Sequence, residues 1–497
     1  MKSKYKTILF HGCIFLFFLI YFLKVTPLVP FDGDDWTYLG QMRFLPLPLW
    51  GNWNPTRVLP EVLSPLSGYF AAFLIYPLTH HYVFALSLSR AIIVSLCLTL
   101  FFGMFYKFLK NRLHINNKRA LASELVFLLS FFLICKHLNH SSYTGFWTRD
   151  YACTFFYLVP GLLNGGLMFY LLQFRDAVQD LRHKGTVEKA IFVTALYFAI
   201  FSSSQFNIIL AIVAFWQLLL SVINSDDNRS LMEIIRKNYL FIGIIIGWFI
   251  TIIFDLNGGR SADLSKNTGL VQLARQSVPK LKGFAAIINH GYLAFCFILA
   301  IVVWFLLFKK RQQIDSSYVE LFSLFWVGLF VSFAYLYVAY LKAGVGYFLR
   351  VDAMWPVLFY LNLIFTFSVT FVLNNFTVSR SVGPLFFVLL VIIAFNYNYQ
   401  PLQVNDNNVD AKTMYRIDNY IIRQIVKADR SGKSSVRVYV PQNGDSKSKA
   451  GGANWPQSYN MAFGIANSLY VHHITPRRLN VTFVPSKKVS QKFYKQY

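Results

Sequence analysis

Thr7–Val25 reads TILFHGCIFLFFLIYFLKV, and Pro30–Trp36, just beyond it, reads PFDGDDW. The first stretch has the length and apolarity of one bilayer crossing. Lys2, Lys4 and Lys6 precede it, as in a signal peptide, but no small-residue cleavage site follows. It is therefore expected to stay as a first membrane helix. The second stretch places three carboxylates, Asp32, Asp34 and Asp35, within four residues at the membrane surface. The composition extends this reading to the whole chain. Its 497 residues are 56% hydrophobic, 18% aromatic and only 14% charged, with a mean hydropathy of +0.45. Soluble domains carry about 25% charged residues. The 51 Phe and the long apolar runs exclude disordered and collagen-like classes. Most of the chain must use lipid as its solvent.

The net charge of +25 would point to nucleic acid in a soluble protein. Here the basic residues lie mostly in short loops, where they set membrane orientation, and no nucleic-acid-binding module is visible. Eleven spans are predicted, at 7–25, 82–106, 120–138, 155–173, 190–206, 207–223, 239–254, 291–308, 320–341, 356–374 and 384–398. With the N-terminus inside, the basic runs Lys107–Arg119, Arg175–Lys189 and Lys309–Arg311 also fall inside. Residues 57–79 are apolar but contain Pro65 and Pro77. Were they to span, the run Lys107–Arg119 would face out, so they are read as interfacial or re-entrant. The expected architecture is an all-α polytopic membrane domain over 1–398, with a small C-terminal α/β domain over 399–497 on the outer side. In that tail, Lys412–Lys427 has the apolar spacing of an amphipathic helix. Val436–Val440, Tyr470-Val471 and Asn480–Val484 read as strands.

Function in such a chain sits where polar groups are kept despite the lipid. Outer loop 27–60 is the densest place. Carboxylates as close as Asp34 and Asp35 raise one another's pKa, which suits one of them to act as a base. Alternatively, Asp34 or Asp35 caps a short helix starting at Trp36, although a cap needs only one carboxylate. Arg57, between Pro55 and Pro60, is placed either to grip a phosphate in a bidentate fork or to snorkel at a helix end. Arg90 lies well inside its span, so it should face the bundle interior and meet a carboxylate or a lipid phosphate. Arg149-Asp150 and Arg350-Val351-Asp352 put an Arg beside a carboxylate in two further outer loops. Loop 255–290 is either a mobile cover over a lipid-linked substrate or an ordinary solvated loop. The five cysteines show no C-x-x-C spacing, and the histidines show no metal-ligand spacing.

An acidic first outer loop with several outer arginines suits sugar transfer from a polyprenyl phosphate. The arginines stabilise the leaving phosphate, an Asp takes the acceptor's proton, and one displacement inverts the anomeric carbon. The acidic pair after the first helix, followed by an interfacial stretch with an Arg, resembles the GT-C superfamily of polyprenyl-phosphate-sugar-dependent glycosyltransferases. Asp34-Asp35-Trp36 together with Trp53–Glu61 is similar to the phage-borne serotype-converting O-antigen glucosyltransferases. The resemblance covers the first 110 residues best.

It implies an inner-membrane enzyme of bacteria with a periplasmic site, an undecaprenyl-phosphate glucose donor and an O-antigen acceptor. The donor's synthase and flippase would be its working partners. Asp34, with Asp35 beside it, would be catalytic, and Arg350 and Arg149 would bind phosphate. Arg57, Arg90, Glu61 and Trp36 complete the expected substrate-binding set. Some relatives bind a divalent metal in this loop, and Asp32-x-Asp34 offers two carboxylates to one. No second acidic cluster completes such a site, so no cofactor is expected. The rival readings are an O-antigen polymerase or ligase, which uses diphosphate-linked donors, and a lipid-glycan flippase, which should show two related halves.

Overall fold

The computed structural model describes residues 2–43, 45–49, 56–138, 141–223, 231–257, 269–309, 314–376, 388, 409–442 and 459–494. The chain is a helical, multi-pass membrane protein. Among the described residues, nine helices are long and apolar enough to cross a bilayer. Eight of them fall on predicted spans: Tyr5–Val25, Tyr82–Arg112, Thr154–Leu172, Ser204–Ile223, Met232–Asn257, His290–Lys309, Ser316–Ala343 and Trp355–Asn375. The ninth is Val58–Thr79. Asn117–Leu133 and Thr186–Ile200, on the predicted spans 120–138 and 190–206, have 17 and 15 residues. They fall short of the usual length of about 20. The expected span 384–398 lies outside the described residues except for the isolated Val388.

The two ends of the bundle differ. One is basic and held by polar ties between helix ends. Arg112 pairs with Glu320 at 2.6 Å, Asn111 donates to Gln173 at 2.9 Å, and Arg119 donates to the Asn374 carbonyl at 3.1 Å. The other end gathers the loops that carry the carboxylates. Val58–Thr79 begins and finishes at this second end. The Val58 amide donates to the Phe201 carbonyl at 2.9 Å, and Thr79 turns through left-handed His80 directly into Tyr82. Ser67 and Ser64 meet Ser89 and Arg90, so residues 64–79 on one arm are matched only by 82–90 on the other. The arm therefore runs obliquely across the bundle. Pro65 and the wide turn Ala71–Ile75 accommodate that slant.

The tail forms a compact lobe at the same end. Strands Ser435–Pro441 and Asn480–Ser486 pair in parallel, with Tyr459–Val471 as the crossover helix and Ala411–Arg430 packed against the sheet. Tyr470-Val471, expected as a strand, ends that crossover helix instead, because Met461, Ile465 and Leu469 recur at helical spacing and are all buried. The lobe docks through small residues on the helix Gly33–Gly40. A Cβ on Gly40 would lie 2.9 Å from the Ser468 amide nitrogen, and one on Gly464 would lie 3.0 Å from that of Thr37. The Ser468 hydroxyl donates to the Trp36 carbonyl and Asn467 to the Gly40 carbonyl, each at 2.8 Å. His472 is buried against Tyr82, 2.5 Å from its hydroxyl, and burial holds the imidazole down at about 4.

Gly40→Val would force these two backbones apart at a cost of about 1–3 kcal/mol. Limited proteolysis of the detergent-purified protein should then release a fragment containing 409–494 that the wild type protects.

Candidate functional site

The loop helix Gly33–Gly40 sets the geometry of the acidic end. Asp32, not Asp34 or Asp35, is its N-cap: the side chain accepts from the Asp34 amide at 2.9 Å. Asp35 closes a reciprocal capping box, which accounts for two of the three carboxylates on this turn, Asp32 and Asp35. Its Oδ2 accepts from the amides of Phe31 at 2.8 Å and Asp32 at 3.0 Å, and its Oδ1 accepts from Ala152 at 2.7 Å. Asp35 is only 1% exposed. It is a tether between two loops and not an open base. Asp34 stays half-buried on the first turn.

The second loop continues the acidic surface. The Asp150 carboxylate accepts from the Cys153 amide at 2.6 Å and from the Cys153 thiol at 3.1 Å. The third loop brings Arg350. Its Nε and Nη2 donate to the two oxygens of Asp352 at 3.0 and 2.8 Å, and Nη2 also reaches Cys153 Sγ at 3.1 Å. Asp352, 2% exposed, takes the Arg149 amide at 3.2 Å as well. Three loops are thus joined through Asp35, Asp150, Cys153 and Asp352.

Tyr157 links the cations. The Arg350 guanidinium lies 4.4 Å from its ring centroid and the Arg57 guanidinium 5.9 Å from the same ring, with Phe156 5.4 Å from Arg57. Arg57 and Arg350, distant in sequence, therefore flank one aromatic side chain. Burial disfavours the charge of Arg57, but Tyr157, Tyr347, Tyr38 and Asp255 more than offset this and hold its pKa above the ordinary value. Asp255 itself accepts from the Thr56 hydroxyl at 2.8 Å. Trp53, Asn54 and Pro55 of the motif lie outside the described residues.

Burial is the main cause that shifts the acids. It pushes Asp32 up to about 7, with Asp150 and Asp34 adding repulsion, while the Asp34 amide and Arg149 pull it back. It pushes Asp35 well above the usual range, with Asp150 and Asp32 adding to the shift. A further carboxyl, Asp418, enters from the lobe helix. It is fully buried, and neither oxygen has a hydrogen-bond partner among the described residues. Burial and then Asp35 raise its pKa.

Three expected site residues take other places. Trp36 is fully buried in the core beneath the lobe and tilted against Tyr82. Arg90 faces the interior, as expected, and lies between two rings. Its guanidinium is 3.8 Å from the Tyr151 centroid and 3.6 Å from that of Phe155, with Ser64 Oγ at 3.1 Å. Cation–π contact replaces the expected carboxylate. Glu61 pairs with Arg43, which also donates to the Leu47 carbonyl at 3.0 Å, and so pins the loop segment after Gly40. The expected mobile loop is helical over Leu270–Ile287, where it packs against Val345–Leu349; Arg260 and Lys266 lie outside the described residues.

No family model, curated protein or solved structure matches the chain. Among the described residues, no group of three His, Cys, Asp or Glu side chains is arranged to hold a metal ion.

Asp32 titrates at about 7 in the folded chain and near 3.9 unfolded. Its ionisation therefore costs stability. The cost is absent below about pH 4, grows between about 4 and 7 and is complete above that. Asp32→Asn still accepts from the Asp34 amide. It should leave the thermal midpoint in detergent unchanged near pH 4 and stabilise the fold by about 2–4 kcal/mol at pH 8.

Proposed function

We propose that the chain is an inner-membrane glycosyltransferase of bacteria that moves a sugar, glucose by resemblance, from polyprenyl phosphate to a periplasmic glycan such as O-antigen. The observation that carries this reading is the pair Arg57 and Arg350, brought from separate loops to Tyr157 beside a turn holding three carboxylates. A phosphate that gains charge as it leaves needs fixed cations, and a hydroxyl that attacks needs a base. The basic opposite end, with Arg112, Lys118 and Arg119, supports placing that end in the cytoplasm. The lobe then lies in the periplasm.

The roles follow from access. Asp34, half-buried on the first turn, takes the acceptor's O–H proton. The acceptor oxygen bonds to the anomeric carbon while the bond from that carbon to the phosphate oxygen breaks. Polyprenyl phosphate leaves with the electron pair, and the sugar is inverted. Arg350 has much of its fork committed to Asp352, whereas Arg57 makes no ion pair among the described residues. Arg57 is therefore the principal phosphate ligand, and Arg350 adds field and orients Tyr157. Asp35 holds the turn against Ala152.

Membranes carrying each variant should be assayed with radiolabelled undecaprenyl-phosphate glucose, with undecaprenyl-diphosphate-linked sugar as the comparison donor. Asp34→Asn should lose at least about 100-fold in transfer while the protein still folds and inserts. Arg57→Ala should lose about as much. Asp35→Asn should lose transfer together with about 1–3 kcal/mol of stability, because an amide faces the Ala152 N–H. Wild-type transfer by Asp34→Asn refutes the base assignment. Use of only the diphosphate donor makes the protein a polymerase or ligase.

A further inference from the structure

The lobe carries a surface that this site does not use. Along Ala411–Arg430 the buried Met414, Ile417, Ile421 and Ile425 face the lobe's own core. On the far side lie Lys412, Arg416, Arg423, Lys427 and Arg430, all exposed. At helical pitch they fall within an arc of about 60° and form a row about 27 Å long. Lys492, from the terminal helix Lys487–Tyr494, lies alongside, 4.7 Å from the Tyr420 ring centroid.

The lobe's acids do not answer this row. Among its described residues Asp410 caps the helix, accepting from the Thr413 amide at 2.9 Å and hydroxyl at 2.7 Å. Asp418 is buried, and Asp429 meets Arg477 at 3.4 Å. None of the five cations is in an ion pair among the described residues. Like charges four residues apart destabilise a helix, so the row costs stability unless a polyanion covers it.

We propose that this row binds an acidic polysaccharide strand, at the same end of the molecule as the carboxylate cluster. Its length fits a chain bearing repeated carboxylates or phosphates and exceeds any single small anion. A helix that lies in a membrane surface buries its apolar face in lipid, and here the lobe core already occupies that face. Single-stranded nucleic acid needs open rings for base stacking. The two rings seen against the row already carry cations: Arg416 sits 5.6 Å from the Phe493 centroid and Lys492 lies 4.7 Å from that of Tyr420. On the reading above the strand would be the acceptor glycan. Binding itself does not depend on sugar transfer, and the test contains no donor, so either can fail alone.

Full-length protein in nanodiscs of zwitterionic lipid is titrated against fluorescent polygalacturonate. Neutral dextran, oligothymidylate and phosphatidylglycerol vesicles are the comparison ligands. Arg416→Gln/Arg423→Gln/Lys427→Gln should weaken polygalacturonate binding about tenfold. The charge-matched Lys433→Gln/Arg478→Gln/Lys487→Gln, off the row, should weaken it less than about twofold. Dextran should not bind, and added salt should weaken the acidic polymer steeply. Equal loss in both triple variants, or no polygalacturonate binding at low salt, overturns the proposal. Tighter binding of the oligonucleotide or of the vesicles reassigns the row to that partner and also overturns it.

Discussion

Asp35 is out of water, and the loops at its end of the bundle are arranged around keeping its oxygens hydrogen-bonded. A buried carboxylate left without donors costs several kcal/mol. Here the donors come from two segments, Phe31 and Asp32 on one side and Ala152, 117 residues away, on the other. That requirement fixes the second loop against the first. With Ala152 in place, Asp150 and Cys153 fall beside Arg350. The site is thus built from the inside outward. The carboxylate that cannot reach solvent holds the turn on which a more accessible neighbour, Asp34, is carried.

The lobe closes the opposite flank of the same helix. Gly40 and Gly464 allow backbones to approach to a distance that any Cβ would prevent, and the Trp36 and Gly40 carbonyls are taken by Ser468 and Asn467. A short helix of eight residues would fray alone. Held by the bundle through Asp35 and by the lobe through its carbonyls, it presents its first turn in one geometry, which is the requirement for a preorganised site. The same docking explains the burial of Asp418: the lobe helix brings a carboxyl into a neighbourhood already crowded with acid, and the cost of charging it is met by a raised pKa.

Much of this fold was legible because lipid imposes a simple rule. Apolar runs of about 20 residues become helices, and eight such runs are helices where hydropathy places them. Residues 57–79 are a helix that qualifies as a span by length and composition, whereas their prolines and the charge of the flanking loop point to an interfacial or re-entrant course. The candidate site was half legible. The cluster Asp32–Asp35 and the pairs Arg149-Asp150 and Arg350–Asp352 stand out in one dimension, but burial does not. Nothing local distinguishes Asp35, with both oxygens hydrogen-bonded to backbone amides, from Asp34 next to it. The surroundings of Trp36 and Arg90 were hidden for the same reason, as both are covered by elements distant in sequence. Tyr157, Cys153, Asp255 and Asp418 carry no motif at all. Their roles come from a tertiary neighbour, and only hydrophobic context was available to read them.

The two arginines at Tyr157 show why charge counting alone misjudges such a site. Arg350 is the more conspicuous in sequence, and its bidentate pairing with Asp352 gives it a strong, directional partner. That partner also reduces what it offers an incoming anion, because a phosphate would compete with a carboxylate already in place. Arg57 is held differently. Its surroundings are rings and a carboxylate, Asp255, that already accepts from Thr56. Ring faces favour a cation without occupying its hydrogen-bond donors at the fork. A guanidinium kept charged by aromatic faces, with N–H groups left to give, is better suited to receive a phosphate than one committed to a carboxylate. Arg350 meets the same Tyr157 ring and ties the third loop to Cys153 of the second.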